Sequence, residues 1–324
     1  MTTQVTITGT GTPLTTADRA GAGVLVRYSG GAIGAASFDE RPGAAGAIAG
    51  RGDDIHLQFD AGRSTVMRLI GAGSSPGALH GLFLTHYHSD HLVGLQDVAL
   101  SHWTMDVFDE AQMLPIYAPN GSTTRFCERM LELWDHDLEV RALHNLREPR
   151  PKVEIRGFDA PATPEVVWTS DDGAVRVLAG QVRHEPVKDA VGYRIETPDG
   201  VVAISGDTVV CDEVAALAQG ADVLVYEAMR MDVIAQRPPD KQYIMHYHAD
   251  TRLIGKQAAE LGVPTVMLTH LIPSPATPEG KQAFIDEVRE GGYEGTVMVC
   301  DDLDTVTIGS QHWGSLSEAP GSVN

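Results

Sequence analysis

Residues 83–95 read FLTHYHSDHLVGL and place His86, His88, Asp90 and His91 within six positions. The apolar run GLFLT at 81–85 precedes them and predicts a strand, so the donors sit just past a strand's C-terminal end. In extended backbone His86 and His88 point to the same side. Asp90 and His91 follow where the chain turns into a helix, so four donors converge with little backbone rearrangement. Imidazole nitrogen and carboxylate oxygen suit zinc and its borderline neighbours. One ion cannot easily use all four donors from so short a loop, which points to two ions side by side. A solvated loop with chance histidines is the alternative, but this spacing after an apolar strand is far more specific than a lone His-x-His.

A dinuclear site needs further ligands, one of them bridging. Three later apolar runs end on a donor: GQVRHEP at His184, VVAISGDT at Asp207 and TVMLTHL at His270. Strand ends are where layered α/β folds place binding groups. Each alone could be a cap or turn residue, and Gly-Asp is a common turn. Together with the first motif the coincidence becomes unreasonable.

Around these motifs, short β-type runs recur: VTITG, GVLVRY, IHLQFD, PIYAP, VRVLAG, VGYRIET, DVLVYEA and GTVMVCDD. Helical spacing is predicted over 63–72, 122–134, 250–261 and 278–290, the last with Thr277 as N-cap and Pro278 at the first position. This order fits an α+β chain built as two mixed sheets packed together with helices outside. We expect one domain over 1–324, with loop excursions at 36–54 and 145–169 and a frayed tail at 310–324.

Lys and Arg number 24 against 44 Asp and Glu, a net charge of −20. Such a field disfavours nucleic acid unless a local basic groove exists, and no basic run builds one. A small anionic substrate is the expected partner. The N-terminus lacks a basic segment followed by an apolar one, and no apolar run approaches the ~20 residues of a membrane span. Cys127, Cys211 and Cys300 are odd in number and far apart, suggesting reduced thiols and a cytoplasmic protein.

The chain resembles the metallo-β-lactamase-fold hydrolase superfamily, in the branch of ribonuclease Z, arylsulfatases and phosphodiesterases. GTGTPLTTADRAGAGVLV resembles that branch's opening, FDAG at 59–62 its segment with a structural aspartate (Asp60), and THYHSDH its metal motif. VRHEPVKDAVGYRIE, ISGDT, LVYEA and LTH at 268–270 resemble its later segments. The resemblance implies a four-layer αββα sandwich with two divalent ions, zinc first, manganese or iron also suitable. It implies one ion on His86, His88 and His184, the other on Asp90, His91 and His270, and Asp207 bridging. HADTRLIGKQAAELGV resembles the branch's His-Ser-Thr helix, though Ala-Asp replaces the small hydroxyl residues. The resemblance gives catalytic roles to Asp90, to His248 on that segment and to Glu227 as its carboxylate partner; His246 is the rival histidine. His56, His80, His102, His136, His144 and His312 fit no ligand pattern, and Trp103 and Met105 are candidates for a pocket wall.

The expected function is hydrolysis of a small phosphodiester or related sulfate ester by a metal-bridged hydroxide. tRNA 3′-processing is the alternative; it requires a basic tRNA-gripping arm, for which 36–54 and 145–169 are the nearest candidates. Lactone or β-lactam hydrolysis and a non-catalytic scaffold are further alternatives. Members of the branch are often homodimers.

Overall fold

The computed structural model describes residues 1–30, 54–105, 113–145, 151 and 153–309. The tail at 310–324 with His312, and the 36–54 excursion except Asp54, lie outside them.

The apolar runs form β1 (Thr2–Gly9), β2 (Gly23–Ser29), β3 (Ile55–Phe59), β4 (Gly81–Phe83), β5 (Leu114–Pro119), β6 (Val153–Phe158) and β7 (Glu165–Thr169). They continue as β8 (Arg176–Gln181), β9 (Val191–Thr197), β10 (Gly200–Ile204), β11 (Val223–Met229), β12 (Thr265–Ile272), β13 (Thr296–Val299) and β14 (Thr305–Ile308). Between them lie α1 (Thr65–Gly71), α2 (Ser89–Leu92), α3 (Leu95–Met105), α4 (Ser122–Arg129), α5 (Asp135–Asn145) and α6 (Asp212–Ala218). The remaining helices are α7 (Met231–Ala235), α8 (Thr251–Leu261) and α9 (Pro278–Glu290).

Two seven-stranded sheets result, ordered β14-β1-β2-β3-β4-β5-β6 and β13-β12-β11-β10-β9-β8-β7. Their inner faces share one apolar core, with Val5, Ile7, Val26, Phe59 and Phe83 from the first and Val177, Tyr193, Ile195 and Val225 from the second. Phe83 stacks on Phe59 and Tyr117 with ring centroids 5.0 and 4.7 Å apart. A second cluster packs Leu69, Val98 and Leu95 of α1 and α3 against the outside of the first sheet. A third packs Leu217, Ile254 and Phe284 of α6, α8 and α9 against the outside of the second. Three apolar seams between four layers make the αββα sandwich.

β3 to β6 run parallel, as do β10 to β13. Their C-terminal ends therefore open on the edges where the donors were expected. At that edge the sheets are tied by Tyr193 Oη donating to the Leu84 carbonyl at 2.5 Å and the Val191 N–H donating to Thr85 O at 3.0 Å.

Two expectations are corrected. The 145–169 excursion is not loop throughout: among the described residues α5 runs to Asn145, and β6 and β7 occupy 153–158 and 165–169. These are the edge strands of the two sheets, half-exposed and so poor in the apolar signal that marks a strand. The helix expected over 122–134 ends at Arg129, followed by a 3-10 turn over Glu132–Trp134 and then α5. α8 and α9 start as expected, with Asp250 accepting from the Arg252 N–H and Thr277 from the Gly280 N–H.

Candidate metal centre

The first donors are set by a tight junction between β3, β4 and α2. Asp60, in left-handed backbone at φ 55°, ends β3. Its carboxylate accepts from the Thr85 N–H at 2.8 Å, the Thr85 hydroxyl at 2.9 Å and His91 Nδ1 at 2.7 Å. Thr85 Oγ1 also bonds His86 Nδ1 at 2.9 Å. Both rings are thus held by one nitrogen and present the other. Glycine is required beneath them: a Cβ on Gly94 would lie 2.0 Å from Gly62 O, and one on Gly62 2.4 Å from Asp90 O. α2 can then pack close enough to bring Asp90 and His91 over the first sheet.

The second sheet delivers the rest. His184 follows β8 and is fixed by Nδ1 donating to the Tyr247 carbonyl at 3.0 Å. Asp207 follows β10. His270 lies in β12 where the pairing with β11 slips between Glu227 and Ala228, and its φ is 46°. A bulge re-aims one side chain out of the alternating pattern, here toward the first sheet's donors.

All the residues singled out as ligands come together. Donor atoms of His86, His88, His184 and Asp207 lie within 4.8 Å of one another, as do those of Asp90, His91 and His270. Asp207 Oδ2 stands 3.3 Å from His91 Nε2, 3.5 Å from His270 Nε2 and 3.9 Å from both His86 Nε2 and His184 Nε2. It touches both groups, as a bridging ligand would. His86 Nε2 is buried with no hydrogen-bond partner, and buried His91 Nε2 has none beyond its 3.3 Å approach to Asp207. Buried polar atoms are normally paired, so these orphans, aimed into the donor cluster, fit divalent ions.

Electrostatics divides the cluster. Burial pushes His86 well below its ordinary pKa and also lowers His88 and His184, so this group is neutral and ready to donate lone pairs. Burial opposes a charge on His91 and His270 too, but Asp207 and its neighbours prevail: His91 is held well above its ordinary value and His270 near 9. Asp207 is itself held well below the carboxylate range, its burial outweighed by His270, His91 and His86. A divalent ion held by the second group would therefore compete with protons for His91 and His270.

His248 heads α8 beside the cluster, buried, with a ring nitrogen within 4.8 Å of donor atoms of Asp207 and His270. Its Nδ1 pairs with Glu227 Oε1 at 2.8 Å, and that oxygen also accepts from the N–H groups of Thr208 at 3.1 Å and Ala249 at 3.2 Å. His246, the rival, is solvent-exposed. Trp103 is buried.

A family model described as the Beta-lactamase superfamily domain matches residues 58–271. The chain is 32% identical over 309 residues to a ribonuclease Z from Mycobacterium bovis (strain BCG / Pasteur 1173P2), covering 94% of this chain and 98% of the relative. The chain belongs to the metallo-β-lactamase-fold hydrolase superfamily. Two solved structures share the fold of this hydrolase. The short form of human tRNase Z is 19% identical with a TM-score of 0.62, covering 94% of this chain and 99% of that one. The metallo-beta-lactamase fold protein YhfI from Bacillus subtilis is also 19% identical with a TM-score of 0.62, covering 95% and 100%.

Sequence reasoning missed two residues of this superfamily site. Thr85 orients His86 and binds Asp60, and it lay unremarked inside the quoted motif. Tyr247 holds His184 through its carbonyl, a contact between residues 63 positions apart that no local pattern signals.

Proposed function

We propose that this hydrolase is a dinuclear metal-dependent phosphodiesterase acting at an RNA 3′ end; the relatives it matches are named ribonuclease Z. The observation that carries the reading is the His248–Glu227 pair set against a complete double donor cluster, in a chain collinear with ribonuclease Z relatives over 94% of its length. This reverses the order expected from charge, which put small esters first.

His86, His88 and His184 would hold one ion, Asp90, His91 and His270 the other, with Asp207 between. Bound there, two divalent ions acidify a water and draw off charge from the phosphoryl oxygens. The chain's own residues do the rest. Asp60 and Thr85 fix the rings of His91 and His86. Glu227 keeps a proton on His248 Nδ1, which fixes the tautomer and orientation of the ring. A protonated His248 Nε2 then delivers a proton to the departing oxygen. The unpaired buried cysteines fit a reducing, cytoplasmic compartment, and no helix among the described residues is long and apolar enough to cross a membrane.

One second reading has its own support. Six residues, 159–164, join β6 to β7, and none of them is basic. With a net charge of −20, a small phosphodiester or sulfate ester is the rival substrate. The test sets a 3′-extended tRNA precursor beside bis(p-nitrophenyl) phosphate and p-nitrophenyl sulfate, with zinc or manganese added. Cleavage of the precursor at its 3′ extension supports the first reading. Turnover of the small esters alone supports the second.

A further inference from the structure

A track of aromatic rings runs outward from the donor cluster. Tyr247 is half-buried, its ring perpendicular to that of His184 at 5.2 Å and tilted against His248 at 4.8 Å. Tyr243, on the 3-10 turn Tyr243–His246, stands 6.2 Å further along from Tyr247 and is 58% exposed. On the other flank Tyr87, 37% exposed, lies 5.6 Å from the ring of His88. Burial thus falls in steps from His184 to Tyr247 to Tyr243, whose ring is tilted 44° to that of Tyr247 and largely open to solvent.

We infer that Tyr243 and Tyr247 form a platform on which a planar group of the substrate, a nucleobase or another aromatic ring, stacks beside the scissile phosphodiester. The inference rests on the phosphodiesterase reading and deepens it by naming what flanks the phosphate. It also meets the charge problem. Nucleic-acid affinity usually comes from cations displacing counterions, and here two cations near the site are engaged: Arg183, beside His184, pairs with Glu213 at 2.9 Å, and Lys241 with Asp240 at 3.5 Å. Stacking on tyrosine needs no cation and tolerates any base. An acidic chain can hold a nucleic-acid end this way.

The test is calorimetric titration of the zinc-loaded protein with inorganic phosphate and with adenosine 3′- and 5′-monophosphate, repeated on Tyr243→Ala, Tyr247→Ala and Tyr247→Phe. We expect a nucleotide to bind more tightly than phosphate. Each alanine variant should weaken nucleotide binding by roughly 5- to 150-fold; Tyr243→Ala should leave phosphate binding unchanged, and Tyr247→Phe should retain the preference. Tyr243 is exposed, so its variant remains informative if Tyr247→Ala fails to fold. Equal binding of phosphate and nucleotides by the unaltered protein, with phosphodiester hydrolysis intact, would overturn the platform alone. Binding of neither ligand would overturn the platform and the phosphodiesterase reading together.

Discussion

Replacing Asp60 by Asn isolates how the chain prepares its second metal position without touching a proposed ligand. Asn matches Asp in shape and is among the few residues that accept φ near 55°, so the backbone should hold. The hydrogen bonds cannot. One carboxylate oxygen accepts from His91 at 2.7 Å, while the other accepts from the Thr85 N–H at 2.8 Å. An amide keeps only one acceptor oxygen, so its NH2 must face a donor at one of these places. A buried donor left without a partner costs about 1–3 kcal/mol of stability. Loss of the group that orients a ligating histidine typically costs ~10–100-fold in metal affinity, or about 1.4–2.7 kcal/mol. The assay is chelator-competition titration of zinc with elemental analysis, alongside thermal unfolding of the metal-free protein. The zinc on Asp90, His91 and His270 should weaken by that factor and the ion on His86, His88 and His184 by less, because Asp60 reaches His86 only through Thr85. Two ions bound as tightly as in the unaltered protein would refute the claim that Asp60 orients His91 for metal.

Three further outcomes are expected. Asp207→Ala should abolish paired metal binding and nearly all hydrolysis; elemental analysis showing two tightly held ions would contradict the bridging role. His248→Ala should retain both ions and slow turnover most for substrates with poor leaving groups; an equal loss across a leaving-group series would assign His248 to binding instead of proton donation. Burial, with Arg27 and His80 nearby, lowers the His56 pKa from 6.5 to about 4. The stability this lends is fully present above pH 6.5 and is lost as pH falls toward 4, because the unfolded chain takes up a proton the folded one refuses. By pH 5 the loss is about 2 kcal/mol, so urea midpoints at pH 7.5 and pH 5 should converge in His56→Gln relative to the unaltered protein.

The donor set was legible because it sits on short motifs at the ends of strongly apolar strands. β4, β10 and β12 are largely buried and so read as apolar runs, with a donor near or just past the C-terminal end of each. β6 and β7 were not legible. They close the two sheets as edge strands, and sequences such as VEIRGF and EVVWT among Pro149, Pro151, Pro161 and Pro164 carry little burial to mark them. The β12 bulge at His270 was hidden too, since nothing in LTHLI announces a positive φ. His246 and His248 could not be separated by spacing, because only the fold puts Glu227 of β11 under one and leaves the other in solvent.

The most direct test of the account is a metal titration of the stripped protein read by phosphodiester hydrolysis, using bis(p-nitrophenyl) phosphate and a 3′-extended tRNA precursor, with His86→Ala as control. Activity should rise with added zinc or manganese and saturate at two ions per chain, and His86→Ala should stay inactive at that loading. Failure to take up metal, or cleavage of either substrate that proceeds equally without it, would contradict the assignment of this site as a dinuclear phosphodiesterase centre.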